Sequence, residues 1–142
     1  MSVLSITYTD KPDEDANRRL AIGHEEYEHE HGVEIDYRRF GFILADEDGN
    51  VFGALNAYTA YSEVCIEDLW VEGSVRRMGY GTQLLHALEG RFAGSQYDNI
   101  NLVTNEFQAP EFYRRCGYEV EFIRVNEANR KLTKYFFIKH LR

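Results

Sequence analysis

Apolar and polar residues alternate through the second quarter of the chain and recur at helical spacing through its middle. Val3, Ile6, Thr7 and Thr9 predict a first strand over residues 3–9. Asp10 and Asp13 offer N-caps near Pro12, and a helical stretch follows from about Asp13 to His31, with Leu20, Ile22 and Tyr27 as its apolar face. Gly23 is expected to divide it, and Gly32 to stop it. Phe40, Phe42 and Leu44 alternate along a strand at 39–45, and Asp46-Glu47-Asp48-Gly49-Asn50 is hairpin chemistry leading into a returning strand at 51–59. The next strand, 64–71, turns wholly apolar at Leu69-Trp70-Val71. Leu84, Leu85, Leu88 and Phe92 then repeat at the spacing of one helix face over about 79–92. A short strand follows at 99–104. Pro110 starts a further helix carrying Phe112 and Tyr113, which Gly117 ends. Strands at 118–125 and 133–139 close the pattern.

This order predicts one domain over residues 1–142, an α/β fold with a central mixed sheet of six to seven strands and helices on both faces. A chain of 142 residues can bury a core without staples. The formal charge of -8 argues against nucleic acid as the main partner. No apolar run approaches a membrane span, and the start of the chain is too polar for a secretory signal. Cys65 and Cys116 therefore read as reduced thiols of a cytoplasmic protein.

Charge is uneven. Ten carboxylates stand against three basic residues between Asp10 and Asp36, and six basic residues against one Glu between Arg124 and Arg142. The acidic segment is either a solvated helix surface or a face that attracts a cationic small molecule. His24, Glu25, Glu26, Glu28, His29, Glu30 and His31 lack the His-Glu-x-x-His pattern, so the expectation is no metal.

Arg76-Arg77-Met78-Gly79-Tyr80-Gly81-Thr82 carries the strongest chemical signal. Glycines at a helix N-terminus let backbone N–H groups approach an anion, and the helix end and the arginines supply positive charge. No Gly-Lys-Ser/Thr closes a P-loop, and the third glycine of the dinucleotide fingerprint is missing. Alone, the segment is equally a tight strand-to-helix turn.

About 25 residues later comes Asn105-Glu106-Phe107-Gln108-Ala109-Pro110-Glu111-Phe112-Tyr113-Arg114-Arg115-Cys116-Gly117-Tyr118-Glu119. The two segments together closely resemble the GNAT superfamily, the acetyl-CoA-dependent N-acetyltransferases, over roughly Asp46 to Leu141. The resemblance implies acetyl-CoA as co-substrate, lying in a wedge where the strand ending at Val71 splays from the strand ending at Thr104. Leu69 and Val71 would present backbone to the pantetheine arm as an added strand, with Trp70 between them also at the cofactor. Backbone N–H groups of Met78, Gly79, Tyr80, Gly81 and Thr82 would hold the pyrophosphate beside Arg76 and Arg77, Tyr113 would sit near the thioester sulfur, and Phe112 would also bind the cofactor. Asn105 would be a further cofactor contact, one position away from the Asn common in the family, where this chain has Glu106. Thr104 and Gln108 are candidate substitutes.

The implied reaction is direct attack of an amine on the thioester carbonyl. A backbone N–H near Val71 would polarise the carbonyl, and Tyr113 would protonate the leaving thiolate. Glu67 and Asp68 are the candidate bases. Strict alternation puts them on opposite faces, with Glu67 in phase with Leu69 and Val71. The expected acceptor is a primary amine on a small molecule or peptide, with a tilt toward a cationic one. Tyr135, Phe136 and Phe137 offer material for a homodimer. The rival reading is a non-catalytic acyl-CoA-binding sensor on the same fold, and a transferase using another acyl donor is a third.

Overall fold

The structure, a computed structural model, describes residues 2–142. It divides into a unit ending at Ile35 and a second unit, Asp36–Arg142. The first contains helix α1 (Glu14–Glu30). The Asp13 carboxylate caps it by accepting from Ala16 N at 2.8 Å. Gly23 does not divide it: the helix runs through, carrying a glycine that costs about 1 kcal/mol relative to Ala. Gly32, at φ +69°, follows its C-cap. Residues 3–9 form no strand, contrary to their β-branched composition. That composition suits a pleated, half-buried surface, and these residues join no ladder.

The second unit is a six-stranded sheet in the order β1-β2-β3-β4-β6-β5. Its strands are β1 (Arg38–Ala45), β2 (Val51–Ala60), β3 (Glu63–Val71), β4 (Asn99–Asn105), β5 (Glu119–Arg124) and β6 (Lys134–His140). The β1–β2 hairpin turns on Asp46, whose carboxylate accepts from Asp48 N, Asn50 N and the Asn50 side chain. These bonds, with the Asn50 side chain foremost, hold the Asp46 carboxyl below its ordinary value. Gly49, at φ +84°, takes the left-handed position.

Along one face of the sheet, Phe40, Leu55, Ala57, Val64, Ile66, Ile100, Leu102 and Phe137 form the core. Helix α2 (Tyr80–Phe92) lies over it and buries Leu84, Leu85, Leu88 and Phe92. Its Phe92 ring packs 5.5 Å from Phe40. The short helix α3 (Glu111–Arg115) lies on the same face, with the Tyr113 ring 5.7 Å from Phe137. The C-terminal end of α2 is tied down by a polar knot. Tyr118 Oη donates to Glu89 Oε2 at 2.9 Å, Lys139 Nζ lies 3.2 Å from Glu89 Oε1, and Lys139 also donates to the Cys116 carbonyl. Burial, reinforced by Glu89, pushes the Tyr118 hydroxyl far above its ordinary value. Glu89→Ala should therefore leave the buried Tyr118 hydroxyl without its acceptor and the Lys139 ammonium without its ion-pair partner. The expected loss is about 2–3 kcal/mol, read as a lower urea midpoint at unchanged slope.

Two irregularities shape the site. The first is a bulge in β3. Ala57 pairs with Ile66 and Asn56 with Asp68, so Glu67 stands opposite no residue of β2. Ile66 below the bulge and Leu69 above it both turn to the core side, although one has an even number and the other an odd one. The second is the seam between β3 and β4. These parallel strands pair only at Glu63↔Asn99, Val64↔Ile100 and Cys65↔Asn101. Beyond Cys65, β3 continues for six residues, roughly 20 Å, with its edge toward β4 unpaired.

Candidate functional site

The unpaired edge of β3 faces a groove of about 920 Å³ running from Leu69 past the start of α2 to α3. Glu72 N donates to Phe52 O on β2 at 2.7 Å, which turns the alternate residues Val71 and Leu69 toward the open edge. Arg76 Nε donates to the Val71 carbonyl at 2.9 Å. Arg76 thus closes the turn 71–76 as well as lining the groove. Glu72 supports the same turn by accepting from Ser74 N, and the Ser74 hydroxyl pulls its carboxyl below the ordinary value.

The turn opens α2 without a side-chain cap, because its N-cap is Gly79 at φ +87°. Tyr80, Gly81 and Thr82 therefore bring their N–H groups to the groove at the positive end of the helix. The two glycines serve different ends. Gly79 holds a left-handed backbone in open space, with no atom within 4 Å of where a Cβ would stand, whereas a Cβ on Gly81 would lie 3.1 Å from the Phe112 ring. Gly81 lets α2 and α3 approach. Arg77 is a non-glycine residue at φ +66°, and it too lines the groove.

A second, smaller cleft of about 120 Å³ opens where β3 and β4 part, lined by Ile66, Glu67, Asp68, Leu69, Leu102, Val103, Thr104, Gln108 and Tyr113. Leu69, Gln108 and Tyr113 line both cavities, so the two meet there. Tyr113 is only 9 % exposed, its ring held by Phe112, Tyr118 and Phe137 at centroid distances of 5.1, 6.1 and 5.7 Å. Burial pushes its hydroxyl up to about 12, with Cys116 adding a smaller push. At neutral pH it is a protonated phenol on the wall of both cavities.

Most of the expected site residues converge here. Leu69, Trp70, Val71, Arg76, Arg77, Gly79, Tyr80, Gly81, Thr82, Phe112 and Tyr113 line the groove, and Glu67 and Asp68 line the cleft. Met78 is outside both linings and 62 % exposed. Asn105 is also outside both. Its side chain donates to Leu132 O and its N–H to Gln108 Oε1. Thr104 and Gln108 do reach the cleft. The expected separation of Glu67 and Asp68 to opposite faces is corrected by the bulge, which breaks the alternation at Glu67 and leaves both residues lining the cleft. Arg39 Nε donates to Glu67 Oε1 at 2.9 Å.

Val75, His86, Phe107, Ala109, Arg115 and Cys116 also line the groove and were not expected. His86 had a signal in the sequence, since it follows Thr82 by four residues on one helix face. Cys116 Sγ lies 3.8 Å from Thr82 Oγ1.

Residues 5–118 match the model of the Acetyltransferase (GNAT) family. Blasticidin-S acetyltransferase of Streptomyces morookaense is 29% identical over 97 residues, spanning 67% of this chain and 70% of that protein. The crystal structure of an acetyltransferase from Bacillus cereus ATCC 14579 superposes with a TM-score of 0.79 at 28% identity, covering 95% of this chain and 98% of that one. The fold is also shared with an aminoglycoside 6'-N-acetyltransferase solved with coenzyme A, at a TM-score of 0.62 and 18% identity, over 98% of each chain.

Proposed function

This chain belongs to the GNAT acetyltransferase family, and from that premise we propose that it is an N-acetyltransferase moving acetyl from acetyl-CoA to a primary amine of a small molecule or peptide. The carrying observation is that a long groove and a short cleft lined by Glu67 and Asp68 meet at Tyr113. The groove is assigned to the donor. Its uncapped helix N-terminus with Arg77 suits the pyrophosphate, and the open edge of β3 suits the amide-bearing pantetheine arm. The cleft is assigned to the acceptor. The family match spans both units of the chain, which supports reading residues 1–142 as a single acetyltransferase domain.

A neutral amine attacks the thioester carbonyl, the C–N bond forms, the C–S bond breaks, and one proton must leave the nitrogen while one reaches the sulfur. The amide of Leu69 is the open-edge N–H that shares the junction with Tyr113, so it is assigned to polarising the carbonyl. Tyr113 donates the proton to sulfur. Glu67 and Asp68 draw in the acceptor and pass its proton to water. Holding both reactants at the junction carries most of the rate, since effective molarities on the order of 10⁵–10⁸ M exceed the roughly 10²–10⁴-fold of acid–base help. The acidic residues Glu67 and Asp68 of the cleft favour a cationic amine. The relative from Streptomyces morookaense, named for blasticidin-S, supports a small-molecule acceptor.

Acetyl-CoA at about 100 times its Kd should stabilise the chain by roughly 2.7 kcal/mol in a melting experiment. Thiol release with acetyl-CoA across a panel of amines should then be faster for cationic amines than for neutral ones, and the difference should shrink as salt rises. Donor binding with no thiol release from any amine would make the chain a sensor instead. Equal, salt-independent rates would remove the cationic preference.

A further inference from the structure

We infer that Arg39 is a positioning residue for the transfer reaction, acting through Glu67 from two strands away. This rests on the acetyltransferase reading above. The bulge leaves Glu67 without a partner position on β2, so nothing in the ladder fixes where its side chain points. Arg39, on β1, supplies the missing constraint. Its Nε donates to Glu67 Oε1 at 2.9 Å across the intervening strand, where Arg39 itself pairs with Tyr58. The pair couples residues 28 apart in sequence and joins the sheet edge to the cleft. The Glu67 side chain is 31% exposed and that of Arg39 is 60% exposed. An exposed pair of this kind contributes little to stability. Its effect lies in orientation: the guanidinium holds Oε1 of a residue that lines the cleft.

The charged and titratable groups around the Arg39–Glu67 pair include Tyr37 just before β1, Tyr58 from β2, Asp68 on β3, which also feels the Arg39 charge, and Tyr113 across the cleft. Arg39 is the cation of the pair, and it opposes a second cation arriving at Glu67. Removing it should therefore separate two kinetic quantities. Loss of orientation lowers kcat, while loss of a competing positive charge does not raise KM for a charged acceptor.

Steady-state rates with acetyl-CoA and 1,4-diaminobutane test this in the wild-type chain, Arg39→Ala, Arg39→Lys, Glu67→Gln and the double variant Arg39→Ala/Glu67→Gln. Arg39→Ala should lower kcat about tenfold with KM for the diamine unchanged or lower, and Arg39→Lys should recover part of kcat. In the Glu67→Gln background, Arg39→Ala should cost nothing further, because a residue acting only through another is silent once that partner is gone. Full additivity of the two substitutions overturns the inference, as does a raised KM at unchanged kcat, which would make Arg39 a direct acceptor contact. An unchanged kcat in Arg39→Ala overturns it too.

A second readout does not depend on turnover. The Arg39 Nε–H resonance should move when Glu67→Gln replaces its acceptor, and an unmoved resonance overturns the pairing. Should the wild-type chain bind acetyl-CoA yet release no thiol with the diamine or with any amine of a wider panel, the transferase reading falls and the kinetic role of Arg39 with it. Turnover by the wild type with no Arg39 effect overturns this inference alone.

Discussion

Tyr113→Phe should slow acetyl transfer by about a hundredfold to ten-thousandfold while leaving acetyl-CoA affinity within a few fold of wild type. The substitution removes one oxygen and keeps the ring. The ring is what Phe112, Tyr118 and Phe137 grip, so the packing that positions α3 should survive. The sign of the pH dependence follows from burial. The Tyr113 hydroxyl is pushed up to about 12, so it holds its proton through the whole range in which an ordinary tyrosine, near pH 10, would be losing its own. The wild-type kcat/KM should rise with pH as the acceptor ammonium, near pH 10.4 for a lysine-like amine, becomes neutral. No falling limb from Tyr113 should appear before about pH 12. The same shift sets a limit on stability. The folded chain binds the proton more tightly than the unfolded one, so this contribution is complete below about pH 10 and is lost as pH rises through about 12. Unchanged turnover in Tyr113→Phe would remove the hydroxyl from the mechanism. Lost donor binding would mean that the ring, rather than the proton, is what the site needs.

Gly81→Val should weaken acetyl-CoA binding tenfold or more and cost about 1–3 kcal/mol of stability. Even a single Cβ at this position meets Phe112 ring carbons at 3.1 and 3.4 Å, and two more methyl groups must force α2 and α3 apart. The N–H groups at the start of α2 then move relative to the β3 edge, and one donor molecule can no longer engage both. Gly79 should fail for a different reason. Space around it is open, but its φ of +87° is strained for most residues, so Gly79→Asn should be tolerated better than Gly79→Val. Calorimetric titration with acetyl-CoA beside melting of the same variants checks both. A Gly81→Val chain that binds acetyl-CoA like wild type would move the pyrophosphate away from this helix end.

What could be read from the sequence divides along a physical line. The stripe Leu84, Leu85, Leu88 and Phe92 was legible because helical spacing is a local property, and the helix buries those four. The turn 76–82 was legible because glycine placement at a helix start is local as well. The sheet of six strands fell within the expected six to seven, and the missing one is 3–9, where β-branched composition found no ladder. The bulge at Glu67 was not legible. It is a mismatch between two strands, and its result is that parity along β3 changes partway, so a face assignment counted from Leu69 fails at Ile66. The Arg39–Glu67 pair was hidden for the same reason, since its register depends on β2 lying between. Asn105 looked like a cofactor contact from its neighbourhood in sequence, yet a carbonyl 27 residues later, at Leu132, takes its side chain.

The seam between β3 and β4 has a consequence for how the molecule breathes. Three residue pairs join the two strands at the seam, so in the free chain the unpaired stretch of β3 beyond Cys65 should exchange its amides by local opening well below the free energy of global unfolding. A donor laid along the vacant edge would cover those amides, and slow exchange should then spread up β3 from the three paired positions toward Val71. The ligand would act there as part of the sheet's own architecture, a missing strand supplied from outside.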